Sequence, residues 1–501
     1  MRRVSFAPHI WRRYASNYHV PGWETVIGLE VHAQLKSQAK LFSGPFSGGL
    51  DDAPNTRVSP FDAAFPGTLP IVNVQCVESA VRMALALGAS VQQKSTFDRK
   101  HYFYPDLPAG YQITQKYAPI ALGGFLALHK SERRVRIKQL QLEQDTGKSR
   151  SEAESSYHAI DLNRAGNALV EIVSEPDMRS AEEAADYVRT LQALIRNLGV
   201  GDAQMEDGSF RCDANISVHR EGQTFGTRCE IKNLNSVKSL VVAISTEVAR
   251  HVETLLAGSA VMQETRGFDE MRTQTYPLRS KEDAPDYRYL PDANLPPLLI
   301  DQGFLEHMRQ TMPELPDAIE ARLQRQYSLS QLTAKALAGS STGYSINGTD
   351  VQYFERAAQY GHPTSVANWL VNELRPLLQS DFASSSISPE RIGLLAELVH
   401  SGEITYASGR TVLHDMVQHP SDERPADVVA RLGLQKVSNA SHLEELCKRC
   451  LEELPAEVEK YRTGNERVLN KMVGYVRRLS QGTAEPAAIT NMLRSLLANE
   501  K

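Results

Sequence analysis

At 501 residues the chain is longer than one hydrophobic core serves, so roughly two to four domains are expected. Hydrophobic residues at 41% and charged residues at 23% are an ordinary globular balance. With no uninterrupted apolar run of about 18 residues, a membrane span is not expected. A net charge of −5 excludes a broadly basic nucleic-acid coat, and five dispersed cysteines (Cys76, Cys212, Cys229, Cys447, Cys450) suit a reducing compartment rather than a disulfide scaffold.

The chain opens with "MRRVSFAPHIWRRYASNYHV", which carries Arg2, Arg3, Arg12 and Arg13 and precedes any acidic residue. An Arg-rich, acid-free start with scattered serines predicts an organelle transit peptide over residues 1–22, against the alternative of a frayed basic terminus. Next, "VIGLEVHAQL" alternates as a strand. Ile27, Leu29, Val31, Ala33 and Leu35 share one face; Glu30, His32 and Gln34 share the other. That second face is either solvated or holds a ligand. "FDRKHYFYPDLPAGYQITQ" interleaves Arg99, Lys100 and His101 with Tyr102, Phe103, Tyr104 and Tyr111. Basic groups contact phosphates and aromatics stack on bases, so the segment reads as a nucleic-acid loop or, alternatively, as core.

Glu143 and Asp145 follow in "LEQDTGKSR". Its "TGKS" is not a phosphate loop, because Leu142 stands where that motif needs glycine. "SAEEAADYVRTLQALIRNLG" is a predicted helix, opened by a Ser180/Glu183 capping box and closed at Gly199. "RCDANISV" places Arg211, Asp213, Asn215 and Ser217 on one strand face, and "GTRCEIK" places Arg228, Glu230 and Lys232 on another. A hairpin turn at Glu221-Gly222 sets Asp213 opposite Glu230, a like-charge pair that Arg211, Lys232 or a bound cation would relieve. Register is open by one residue. Glu30, His32, Glu143, Asp213 and Glu230 together form an oxygen-rich set with one imidazole, which suits Mg²⁺ or Mn²⁺ better than zinc.

After "NSVKSLVVAISTEVARHVETLLAG", a helix from Asn235 or Ser236 to near Gly258, the Pro-rich "LPDANLPPLLI" marks the first domain boundary, at 297. Beyond it the pattern is helical, with Ser388-Pro389-Glu390 starting one helix. The expected division is a helical domain over 298–410 and a small helical tail over 411–501. Cys447 and Cys450 form a Cys-x-x-Cys pair without further ligands nearby, and pack or face solvent. "KYRTGNERVLNKMVGYVRR" carries Lys460, Arg462, Arg467, Lys471, Arg477 and Arg478, a local basic patch for a phosphate backbone or a charged helix surface.

Taken together, "VIGLEVHAQL", "FPGTLPIVN", "FDRKHYFYPDLPAGYQITQ", "DTGKS", "DLNRAGNALVEIVSEPDMRS", "MEDGSFRCDANISV", "EIKNLNS" and "DYRYLPDANLPPL" resemble the GatB family, the B subunits of glutamyl-tRNA(Gln) amidotransferases. The resemblance implies an α+β chain: a cradle domain on a largely antiparallel sheet over 23–297, then the two helical domains. It implies an enzyme that activates the side-chain carboxylate of Glu-tRNA(Gln) with ATP and lets ammonia displace phosphate. It also implies two partners, an amidase (A) subunit that supplies the ammonia and a small C-type subunit, and no membrane insertion. Glu30, His32, Glu143, Asp213 and Glu230 match catalytic positions; Glu30, His32, Gln144, Asp213 and Glu230 match a Mg²⁺ site. Lys148, Arg164 and Lys232 match cofactor-binding positions. Arg99, Lys100, Tyr102 and Tyr104, with Arg467, Lys471, Arg477 and Arg478, are the expected tRNA contacts.

Two departures stand out. Gln144 replaces a carboxylate common in the family, which weakens an expected ligand. The cysteine pairs that hold zinc in some relatives near "LFSGPFSGGLDDAPN" are missing, so no zinc is expected. With the Arg-rich start, the expected location is the mitochondrial matrix. The alternative reading is a non-catalytic tRNA-binding scaffold whose metal site has decayed at Gln144.

Overall fold

The structure is a computed structural model and describes residues 21–47, 52–128, 130–131, 133–151, 157–280, 286–339, 349–378, 382–436 and 440–499. The expected transit peptide, but for its last two residues, lies outside them. The chain divides into two compact units, Met1–Pro316 and Asp317–Lys501.

A ten-stranded sheet organises the first unit. Its principal strands are β1 (Trp23–Gln34), β4 (Arg134–Gln144), β5 (Ala168–Ser174), β6 (Phe210–Arg220), β7 (Cys229–Leu234), β8 (Glu264–Asp269) and β9 (Gln274–Ser280); β2 (Asp98–His101) and β3 (Tyr111–Thr114) pair beside it in a smaller sheet with Leu290–Pro291. The order is β9–β8–β7–β6–β1–β5–β4, continuing through Ala121–Leu122 to Ser90–Val91. The pairs are antiparallel except β7–β8. The α+β expectation and the largely antiparallel sheet are therefore present.

The central strand earns its place by alternation. Ile27, Leu29, Val31, Ala33 and Leu35 are at most 2% exposed, in one core with Val77, Ala80 and Val81 of α1 (Val74–Ala86), Tyr187, Val188 and Leu191 of α2 (Ala181–Asn197) and Leu240, Ala243 and Ile244 of α3 (Val237–Leu256). Burying each large aliphatic side chain contributes about 1.5–3 kcal/mol. A one-residue slip would exchange that gain for the burial of Glu30 and His32, so the register is strongly specified. Helices α2 and α3 start at the expected serines: Ser180 Oγ accepts from the Glu183 N–H, and Ser236 Oγ accepts from the Ser239 N–H. The Glu183 carboxylate reaches back to the Arg179 N–H, one residue before the cap.

The first unit runs past the boundary expected at 297. Its helix α4 (Gln302–Gln310) sends Leu305 and Met308 into the same core. Among the described residues, the second unit is helical without strands. Ser388 caps α5 (Pro389–His400) through the Arg391 N–H, with Pro389 at the first helical position. Two apolar cores occupy this unit, one from Ile319 to Leu434 and one from Leu443 to Leu497. Helix α6 (Tyr406–Gln418) gives Val412, Leu413 and Met416 to the first. Cys447 and Cys450 on α7 (Ala440–Glu453) are buried in the second core, where burial pushes both thiols up to about 11.

Candidate active site

The face of β1 opposite the core carries Glu30 and His32, and cross-strand pairing decides what meets them. Glu30 lies opposite Asp213 on β6, and His32 lies opposite Glu171 on β5 and Arg211 on β6. Glu171 is in turn opposite Gln141 on β4, two residues before Glu143 on the same face. The expected opposition of Asp213 and Glu230 does not occur. Glu230 pairs with Asn215, because the connection runs through residues 221–228 rather than a two-residue turn.

Two groups of side chains result. In the first, His32 Nε2 is 3.9 Å from Glu143 Oε1 and 3.8 Å from Glu171 Oε2. One ligand atom of each lies within 4.8 Å of the others, the spacing of a metal-ligand set. Glu143 is 2% exposed; its Oε1 accepts from Gln112 Nε2 at 2.6 Å, while its Oε2 is buried with no hydrogen-bond partner. Gln141 donates to Glu171 Oε2 at 2.5 Å. Burial raises the Glu171 carboxyl to about 7; Glu143 and Glu30 add repulsion, against attraction from His32 and Lys100. A buried, orphaned carboxylate oxygen beside a second carboxylate and an imidazole is a donor set that fits a hard divalent cation.

In the second group, Asn215 Nδ2 donates to Glu30 Oε1 at 2.9 Å, and Lys232 Nζ sits 2.8 Å from Asp213 Oδ2 and 3.0 Å from Glu230 Oε1. Thr265 Oγ1 donates to Glu230 Oε2 at 3.1 Å. Burial pulls the Lys232 ammonium down, but Asp213 and Glu230 outweigh it, and the net shift is upward.

The chain matches the model of the GatB/GatE catalytic domain over residues 25–306 and that of the GatB domain over 352–497. The chain belongs to the GatB family. It is 46% identical to the B subunit of the mitochondrial glutamyl-tRNA(Gln) amidotransferase of Laccaria bicolor, across 98% of this chain and 95% of that protein. The counterpart of the same name in Cryptococcus neoformans is 42% identical, across 95% and 94%. The B subunit of the aspartyl/glutamyl-tRNA(Asn/Gln) amidotransferase of Orientia tsutsugamushi is 41% identical, across 95% and 97%.

In this GatB-family chain the sheet face brings together Glu30, His32, Glu143, Asp213, Glu230 and Lys232 of the expected site residues. Gln144 is not among them. It follows Glu143, so alternation turns its side chain to the other side of β4, where it lines a cavity of about 190 Å³ with Phe61, Asp106 and Tyr111. Asp145 is held by Arg211 at 2.9 Å and Arg164 at 3.6 Å. Arg164 also donates to the Thr146 and Gly147 carbonyls, which fixes the turn after β4. Lys148 is exposed on the hairpin Lys148–Ser151/His158–Asp161, opposite Asp161 and off the main sheet.

Among the expected tRNA contacts, Arg99 pairs with buried Asp292 at 2.6 Å and lies 4.2 Å from the Tyr111 ring centroid, which occupies its guanidinium within the protein. Tyr102 donates to Gln112 at 3.1 Å, behind Glu143, while Tyr104 is 62% exposed. In the second unit, α8 (Leu469–Leu479) presents Lys471, Arg477 and Arg478 outward, Arg467 is exposed just before it, and Lys471 hydrogen-bonds Glu457. Sequence reasoning missed Glu171. Its signal was a single carboxylate inside the apolar strand "ALVEIVS", on the parity that faces His32 once β1 and β5 pair.

A second mixed cluster, Cys229, Glu247 and His251, is buried elsewhere in the unit. Arg250 and Arg266 already neutralise Glu247, and Thr275 donates to it at 2.7 Å. Hydrogen bonds from His251, Arg250 and Thr275 outweigh burial and hold the carboxyl well below its usual range. The Glu247 carboxylate is thus already occupied, while His251 Nδ1 is buried without a partner.

Proposed function

We propose that this chain carries out ATP-dependent transamidation of Glu-tRNA(Gln) to Gln-tRNA(Gln) through a γ-glutamyl phosphate, working with an amidase partner and a small third protein in the mitochondrial matrix. The observation that carries this reading is the His32–Glu143–Glu171 group, with the buried Glu143 Oε2 left without a partner. These three residues would hold Mg²⁺, with Glu30 and the Asp213–Glu230 pair further along the same face. The ion, when bound, supplies charge screening where the substrate carboxylate and the ATP phosphates approach one another.

The chain's own residues set the rest. Gln112 and Gln141 orient Glu143 and Glu171 by donating to them, so the ligand oxygens are fixed before substrate arrives. Lys232 keeps Asp213 and Glu230 from adding further negative charge at the point where an anionic substrate must enter. The exposed aromatic loop at Tyr104 and the basic face of α8 are the surfaces offered to tRNA. The relatives' names support the substrate class, and the mitochondrial relatives support the location. The scaffold alternative rested on Gln144; the His32–Glu143–Glu171 group forms without that side chain, which supports the catalytic reading.

The test is single-turnover conversion of Glu-tRNA(Gln) to Gln-tRNA(Gln) with ATP and ammonium supplied directly, across a Mg²⁺ titration. His32→Ala should lower the rate by roughly two to four decades, as expected when one lost ion contact removes about 3–5 kcal/mol of transition-state stabilisation. Binding of Glu-tRNA(Gln) should persist. A near-wild-type rate at every Mg²⁺ concentration would remove the catalytic reading of this face.

A further inference from the structure

Lys100 lies opposite Gln112 on the β2–β3 pair, and Gln112 is the residue whose amide reaches Glu143 and the Gln144 carbonyl. The ammonium lies within electrostatic reach of Glu143 and Glu171, without a direct ion pair to either. Its Nζ is 5.9 Å from the Tyr102 ring centroid and 5.2 Å from that of Tyr287. Tyr102 is a near neighbour in sequence; Tyr287 arrives from a distant segment, and the two rings meet edge-on at 6.0 Å.

That segment is held in a costly conformation. Arg288 has φ +41°, in the left-handed region that disfavours side chains. His101 secures it twice: its backbone N–H donates to the Tyr287 carbonyl at 2.8 Å, and its Nδ1 lies 3.0 Å from the Arg288 carbonyl oxygen. A carbonyl accepts only, so Nδ1 carries the proton there. The strain is kept next to the ring that faces Lys100.

We propose that Tyr287 is a positioning residue: with Tyr102 it holds the Lys100 ammonium as a built-in counter-ion of Glu143 and Glu171, which a divalent ion must displace in order to bind. The proposal rests on the metal reading above. Two half-buried or buried carboxylates side by side need a positive charge, and the ammonium supplies one before the ion arrives. Burial alone would lower the Lys100 pKa, but attraction from Glu143 and Glu171 outweighs it, so the charge stays on. An ammonium held by ring faces keeps freedom to swing, because cation–π attraction is broad in angle whereas a hydrogen bond is directional.

The test measures Mn²⁺ binding, from the electron paramagnetic resonance signal of free ion, to the full-length chain expressed with its partner subunits and without ATP. The component lost in His32→Ala isolates this site. Tyr287→Leu frees the ammonium and should tighten that component roughly three- to tenfold. Lys100→Met should tighten it at least as much, and Tyr287→Phe, which keeps the ring, should match the unsubstituted chain. Tyr287→Met gives the same reading should the leucine variant not fold. Unchanged or weaker binding in Tyr287→Leu or Tyr287→Met overturns the positioning role, and unchanged binding in Lys100→Met overturns the counter-ion. An unsubstituted chain without a His32-dependent Mn²⁺ component would overturn the metal reading itself, and this inference with it.

Discussion

The two carboxylate groups on the sheet face use the same residue types and differ in how their lysine is held. In the Asp213–Glu230 group Lys232 bonds both carboxylates directly, at 2.8 and 3.0 Å. In the Glu143–Glu171 group Lys100 stands against aromatic rings, and Glu143 Oε2 keeps no hydrogen-bond partner. A lysine bonded to both acids is a fixed counter-ion and closes its group to other cations. One held by rings leaves a ligand oxygen open. Carboxylate count alone therefore does not locate an ion; the geometry of the neutralising charge does.

The strongest attempt to break this contrast removes the fixed counter-ion. Lys232→Met leaves Asp213 and Glu230 unpaired and should cost about 1–3 kcal/mol of stability, the range for a part-exposed pair losing one partner. In the same variant Glu30, Asp213 and Glu230 should take up a second Mn²⁺, and that ion should restore the urea midpoint. A variant as stable as the parent, with unchanged Mn²⁺ stoichiometry, would show that Lys232 does not close this group.

A weaker lever is pH. The Glu171 carboxyl is raised to about 7, and an ion binds its deprotonated form. Mn²⁺ affinity at the His32-dependent site should thus rise as pH rises to about 7 and level off above it. Below that point each unit of pH should cost up to about tenfold. Glu171→Gln should flatten the profile as well as weaken binding; a parent profile already flat between pH 6 and pH 8 would contradict the assignment.

The same distinction, carried to the basic helix face, gives the smallest effect. Lys471 is already paired with Glu457, whereas Arg477 and Arg478 are exposed. Lys471→Ala should change the tRNA dissociation constant less than Arg477→Ala, with a smaller loss of salt dependence, because a neutralised cation releases fewer counterions. Equal losses in the two variants would mean that the Glu457 pairing does not persist in solution.

Much of this was legible in the chain itself. Alternation in β1 separated Glu30 and His32 from the core, serine caps placed α2, α3 and α5, and the Pro-rich segment near 297 announced the turn to helices. These are local properties, set by dihedral preference, side-chain period and capping hydrogen bonds within a few residues. What the sequence left open was every relation between strands. Whether Glu230 meets Asp213 or Asn215 depended on the length of one connection. Glu171 went unconsidered until β5 paired with β1, and the parity of Gln144 on β4 sets its side chain on the face opposite Glu143. Lys100 and Tyr287 lie far apart in the chain and meet because the segment from Tyr287 to Asp292 runs beside β2, tied by His101, by the Leu290–Pro291 pairing and by the Arg99–Asp292 pair. Pairing partners in a sheet are chosen by the packing of distant segments, and a single-residue shift moves a side chain to the opposite face. The sequence therefore determined which residues could be polar on which strand; the tertiary structure decided which of them come together on one face.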